Sequence, residues 1–233
     1  VLVTGEIWLR VPETIDMHWH GQLGPRVTAK DMMLHLIGRF GMNGGRYQAV
    51  EYSGEAVQAL PMQERMTLCN MSAELGAQTG LVAPDATTQA WLQSVGVDAP
   101  DTEPWHTDAQ APVTRHRFDA GALSPQVAAP HSPANAGPVD AHAGTAITLA
   151  YIGACTGAKL EDLRAAASVL RGARVATGVQ LLVAPASLHD QEQAREEGVL
   201  QVLLDAGGQL LPTACGACAG YGSSVPEGST VIS

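Results

Sequence analysis

The sequence predicts an α/β fold, with parallel or mixed sheets flanked by helices. Three observations carry this. Residues 146–233 alternate continuous apolar runs with segments of helical period, the pattern of βαβ units. Residues 1–100 contain at least one helix with a legible start, face and stop. A 233-residue chain that is 45% hydrophobic is long enough for one large domain or two small ones with a real core.

In the first block, 1–100, Ile7, Leu9 and Val11 alternate with Trp8 and Arg10, which suggests a half-buried strand. Thr28 and Asp31 have the spacing of a capping box. Met32, Met33, Leu36, Ile37 and Phe40 follow at helical spacing, and Gly41 stops the helix. A second helix is expected after Ser53, a third over about 63–80 and a short fourth around 88–95.

Residues 101–145 differ in character. From position 100 to 145 fall seven of the 14 prolines and four of the eight histidines, with little periodicity. Val113, Phe118, Leu123 and Val127 read as isolated anchors of an ordered connection.

The last block, 146–233, opens with ITLAYIG (147–153), a run expected of a buried parallel strand. A helix is expected over 160–170, a strand over 179–185, and a helix over 190–204 broken near Gly198. A short strand at 209–212 follows, and STVIS reads as another.

Composition excludes several functions. Charged residues are 15%, against about 25% in a typical soluble domain. The formal charge of −10 offers no electrostatic footprint for nucleic acid and no attraction to an anionic membrane surface. No run of about 18 apolar residues exists to cross a membrane. No targeting signal is visible, and a cytoplasmic location is expected. Four cysteines do not make a disulfide scaffold. The chain reads as a piece of something longer, because it opens and stops inside apparent strands.

Three of those cysteines are placed for chemistry. Cys155 lies just after the first apolar strand of the last block, and Cys215 just after the third, with Cys218 one C-x-x-C step later. In an open parallel sheet the loops after the strands share one edge. Three thiolates are therefore delivered to one crevice from sixty residues apart in sequence. Spacing alone fits an iron–sulfur cluster, and it fits zinc equally, with His131 or His142 as a fourth ligand. Cys69, inside a helical apolar stretch, reads as a core residue.

Four segments together resemble a known family: RMTLCNMSAELGAQTGLVAPD (65–85), PQVAAPHSP (125–133), YIGACTGAKLEDLRAAA (151–167) and LLPTACGACAGYG (210–222). In this order they are similar to the aconitase superfamily, and most similar to its isopropylmalate dehydratase and homoaconitase large-subunit branch. The resemblance covers nearly the whole chain. It implies that Cys155, Cys215 and Cys218 hold a 4Fe–4S cluster with one iron left open as a Lewis acid. The implied activity is a hydro-lyase reaction on isopropylmalate or a related hydroxy di- or tricarboxylic acid. The implied partner is a small subunit carrying the swivel domain.

The family's N-M-x-A-E motif maps to Asn70 and Glu74, which implies that both act at the site. At i and i+4 they would share a helix face. The competing view of Glu74 is a solvated helical acid, and His131 reads as a loop anchor. Asp162 and Arg164 serve the helix surface.

Departures from the family stand beside these matches. The S-C-T-N motif is here Ala154-Cys155-Thr156-Gly157, and the usual Pro-Gly before C-x-x-C is Thr213-Ala214. The family's N-terminal Asp/His segments and its S-N-R-N-F motif are not among these residues. The chain is thus expected to supply cluster ligands without a full active site. A zinc-stabilised module and a catalytically incomplete fragment of the dehydratase are the alternatives that the sequence leaves open.

Overall fold

The computed structural model describes residues 1–98, 101, 105–216 and 225–233. Two compact units divide the chain, Val1–Val139 and Asp140–Ser233.

The first unit contains β1 (Thr14–His20), α1 (Ala29–Phe40), β2 (Ala49–Ser53), α2 (Glu55–Gln58), α3 (Met62–Asn70), β3 (Thr79–Val82), α4 (Ala86–Ser94), β4 (Val113–Asp119), β5 (Gln126–Ala128) and β6 (Ala136–Pro138). Four strands form a parallel sheet in the order β3-β2-β1-β4, and β5 and β6 make an antiparallel hairpin. Ile15, Met17 and Trp19 point from β1 into the core, where they meet Met32, Met33, Leu36 and Ile37 of α1. The intervening Asp16 is also buried. It is neutralised across the sheet by Arg115 and accepts from Ser53 Oγ at 2.6 Å.

The start and stop of α1 match the sequence signals. The Thr28 amide donates to Asp31 Oδ2 at 2.7 Å, and Gly41 ends the helix at φ 75°. Three expectations in this unit are corrected. Residues 7–11 form no strand: Ile7 is 69% exposed and Trp8 89%. Their alternation is real, but their backbone finds no ladder partner among the described residues. The third helix ends at Asn70 rather than near 80. Ser72 Oγ returns to the Leu68 carbonyl at 3.0 Å, Gly76 turns the chain at φ 78°, and β3 begins at Thr79. The segment 113–119, expected as loop with anchors, contributes β4, which pairs with β1 over seven residues.

The second unit contains β7 (Leu149–Gly153), α5 (Leu160–Leu170), β8 (Gln180–Ala184), α6 (Leu188–Glu196), α7 (Val199–Asp205), β9 (Gly208–Leu210) and β10 (Val231–Ile232). Its sheet is parallel, in the order β10-β7-β8-β9. Leu163 and Ala167 of α5 pack on Leu181 and Val183 of β8, with Leu200 and Leu203 of α7 alongside. The expected break falls at Gly198, which adopts φ 72° between α6 and α7. Among the described residues, no helix is long and apolar enough to cross a membrane.

Candidate functional site

The carboxyl edge of the second sheet is where the sequence places its thiols. Strand β7 ends at Gly153 and strand β9 at Leu210, on either side of β8. Parallel strands put both ends on one edge, about 10 Å apart at two inter-strand spacings. Cys155 and Cys215 follow these ends. Both are exposed, and neither is in a disulfide. Cys218 lies outside the described residues. Among the described residues no three His, Cys, Asp or Glu side chains converge as a metal-holding group.

The segment after Cys155 is pinned to the neighbouring loop. The Ala186 amide donates to the Ala158 carbonyl at 2.8 Å, and the Leu160 amide donates to Asp190 Oδ1 at 3.0 Å. Asp190 is itself buried and accepts from Ser187 Oγ at 2.5 Å. Asp162 caps α5 by accepting from the Lys159 amide, and Arg164 pairs with Glu161 and Glu197 on the helix surface. Ala154 and Gly157 leave no polar side chain on either side of Cys155-Thr156. His131 is exposed, at φ 83°.

In the first unit Asn70 and Glu74 belong to one turn, not to one helix face. Asn70 is the last residue of α3 and is exposed. Glu74 lies in the turn beyond it and is half-buried. Its Oε2 is buried and has no hydrogen-bond partner among the described residues. A buried acceptor left unpaired costs about 1–3 kcal/mol.

The turn is tied to the 45–47 segment by backbone hydrogen bonds. Leu75 and Gly76 carbonyls accept from the Gly45 and Tyr47 amides at 2.8 and 2.9 Å. Beneath it, Tyr52 Oη meets Ser72 Oγ at 2.7 Å. Ser72 donates its own proton to Leu68, so Tyr52 is the donor. Burial pushes the Tyr52 phenol well above its ordinary range. The Ser72 hydrogen bond opposes this, and the Cys69 and Glu74 charges add to it. Burial also pushes the Cys69 thiol up, partly offset by a hydrogen bond to the Val82 backbone.

One pair escaped the sequence reading. Arg65 is 2% exposed and grips Asp85 bidentately, Nη1–Oδ1 at 2.7 Å and Nη2–Oδ2 at 2.8 Å. It also donates to the carbonyls of Leu60 and Gln58. Asp85 is at the same time the N-cap of α4, accepting from the Thr87 and Thr88 amides. These two residues are the first and last of the segment 65–85 that carries Asn70 and Glu74. The ion pair therefore closes the loop that positions them. The signal was the presence of an Arg and an Asp at the two ends of one motif.

The profile of the aconitase family (aconitate hydratase) matches residues 1–233. The 3-isopropylmalate dehydratase large subunit 1 of Archaeoglobus fulgidus is 40% identical over 220 residues, 94% of this chain and 52% of its own. The probable methanogen homoaconitase large subunit of Methanosarcina mazei is 42% identical over 235 residues, 100% of this chain and 59% of its own. The chain thus spans about half the length of the curated relatives it matches. Among solved structures, the holo-form of Thermococcus kodakaraensis aconitase X aligns with 88% of this chain and 44% of its own, at TM-score 0.47 and 14% identity. The chain belongs to the aconitase family.

Proposed function

We propose that this chain is the cluster-binding part of a hydro-lyase large subunit. Its substrate is isopropylmalate or a related hydroxy di- or tricarboxylic acid, and a small subunit with the swivel domain completes the enzyme. The observation that carries the reading is the delivery of Cys155 and Cys215, both exposed, to one edge of one parallel sheet in an aconitase-family chain. Relatives named as large subunits support the expectation of a smaller partner.

Cys155, Cys215 and Cys218 would hold a 4Fe–4S cluster. Two exposed thiols, on loops that leave strand ends about 10 Å apart, fit such a group. When bound, the cluster supplies a Lewis acid that makes hydroxide a tolerable leaving group. The side chains of the turn then have separate tasks. Glu74 Oε2, buried and without a protein donor among the described residues, holds the proton of the hydroxyl that leaves or returns. Asn70, at the exposed end of α3, orients a substrate carboxylate through its amide. The Arg65–Asp85 clamp keeps the turn in place while the proton moves.

Glu74→Gln in the complete enzyme tests this. Turnover is expected to fall by about 10²–10⁴, with KM changed less and iron content unchanged, because no ligand is touched. The unfolding free energy should stay within about 1 kcal/mol of the parent, since Oε2 has no hydrogen bond to lose among the described residues. An ordinary surface acid would instead be silent in turnover, and wild-type kinetics at full iron content would end the assignment.

A further inference from the structure

The first unit contains a cavity of about 530 Å³ between α1, the outer strand β4 and the β5–β6 hairpin. Small-molecule sites run from about 300 to 1,000 Å³. No residue of the 65–85 segment lines it.

Its inner wall is aromatic. Trp19 and Phe118 stack there at 4.6 Å between ring centroids, and both are buried. Trp19 is 1% exposed, and its Nε1 donor is buried with no hydrogen-bond partner among the described residues. A buried indole N–H ordinarily finds an acceptor.

The rim is cationic. Arg39 from α1 and Arg117 from β4 both line the cavity and both are exposed. The side-chain ion pairs of the described residues use Arg65, Arg115, Arg164 and Arg195, not these two. The Arg39 guanidinium lies 5.3 Å from the Phe118 ring centroid, so an aromatic face orients it. Asp119 is the one acid in the lining, and its Oδ1 already accepts from the Gly121 amide at 2.9 Å. Two guanidiniums against one carboxylate make a positive site on a chain of net charge −10. His35 adds no charge at neutral pH, because burial and then Arg39 push its imidazole below the usual range.

We infer that this cavity binds a small organic carboxylate with an apolar body. Arg39 and Arg117 take the carboxylate, Phe118 and Leu123 take the body, and Trp19 Nε1 donates to an acceptor oxygen. The inference goes beyond the proposed activity and does not depend on it.

The Trp19 indole N–H gives a direct readout. The chain has four tryptophans, so the indole region of a proton–nitrogen correlation spectrum holds four signals, and Trp19→Phe assigns one. Phenylacetate is the probe, with 2-phenylethanol as its neutral counterpart and inorganic phosphate as an anion without an apolar body. Phenylacetate is expected to shift the Trp19 signal saturably in the millimolar range expected of a fragment this small. Phenylethanol and phosphate should each bind at least about tenfold more weakly. Arg39→Gln and Arg117→Gln should each weaken phenylacetate about tenfold, the loss of one charge-assisted hydrogen bond. A parent-like urea transition followed through Trp19, which is 1% exposed, would show these variants folded. No shift of Trp19 at about 20 mM phenylacetate, equal binding of phenylethanol or phosphate, or unchanged affinity in both arginine variants would overturn the inference.

Discussion

Replacing Asp85 tests how the 65–85 segment is held. Arg65 would keep its hydrogen bonds to Leu60 and Gln58 but lose a bidentate carboxylate while 2% exposed. Removing one partner of a buried ion pair costs about 3–5 kcal/mol. Asp85 is 36% exposed, so water can reach the vacated position, and about 2–3 kcal/mol is the appropriate range. Asp85→Asn isolates this cost, because asparagine still caps α4. Asp85→Ala adds the lost cap, about 1 kcal/mol more. Urea unfolding followed through the core tryptophan Trp19 reads both. With a slope of about 1.5 kcal/mol per molar, the alanine variant should lower the midpoint by about 2 M.

The pH dependence supplies a second check on the same pair. Hydrogen bonding to Arg65 holds the Asp85 carboxyl below its ordinary value. Its stabilisation is therefore fully present above about pH 4 and is lost as pH falls through the folded-state value. The asparagine variant should lack that component. An Asp85→Asn unfolding free energy within about 0.5 kcal/mol of the parent would refute the clamp.

Other outcomes follow from the same region. Gly80→Ala should destabilise the first unit by about 1–3 kcal/mol, because its Cβ would lie 2.8 Å from Cys69 Cα and 2.9 Å from the Cys69 carbonyl oxygen; thermal unfolding measures this. Tyr52→Phe should cost about 1 kcal/mol, the net worth of one buried hydrogen bond. With its folded-state value raised, Tyr52 makes stability fall as pH climbs past about 10, where the unfolded phenol ionises. Tyr52→Phe should flatten that fall, and ultraviolet titration should show one of the four tyrosines ionising later than an ordinary phenol.

What could be read from sequence follows from where the periodic signal survives. Helix α1 and the β7–α5–β8 unit were legible because each buries one continuous face. The shared edge of the strand ends before Cys155 and Cys215 was legible because parallel connectivity alone sends strand ends to one side. Strand β4 was not. Its outward positions are Arg115, Arg117 and Asp119, and of its inward positions only Phe118 is buried, so no apolar alternation marks it. Asn70 and Glu74 have the spacing of one helix face, but the local chemistry of Ser72 and Gly76 ends the helix between them. The Arg65–Asp85 pair and the Trp19 cavity join residues distant in sequence, and only the folded chain brings them together.

Iron and acid-labile sulfide analysis after anaerobic reconstitution of the chain decides whether Cys155, Cys215 and Cys218 hold one cluster. About four iron and four sulfide per chain are expected. Cys155→Ala, Cys215→Ala and Cys218→Ala should each lower that content severely, and Cys69→Ala should leave it intact. A full complement of iron and sulfide in Cys155→Ala or Cys215→Ala, or one tightly held zinc with no sulfide in the parent chain, would contradict it.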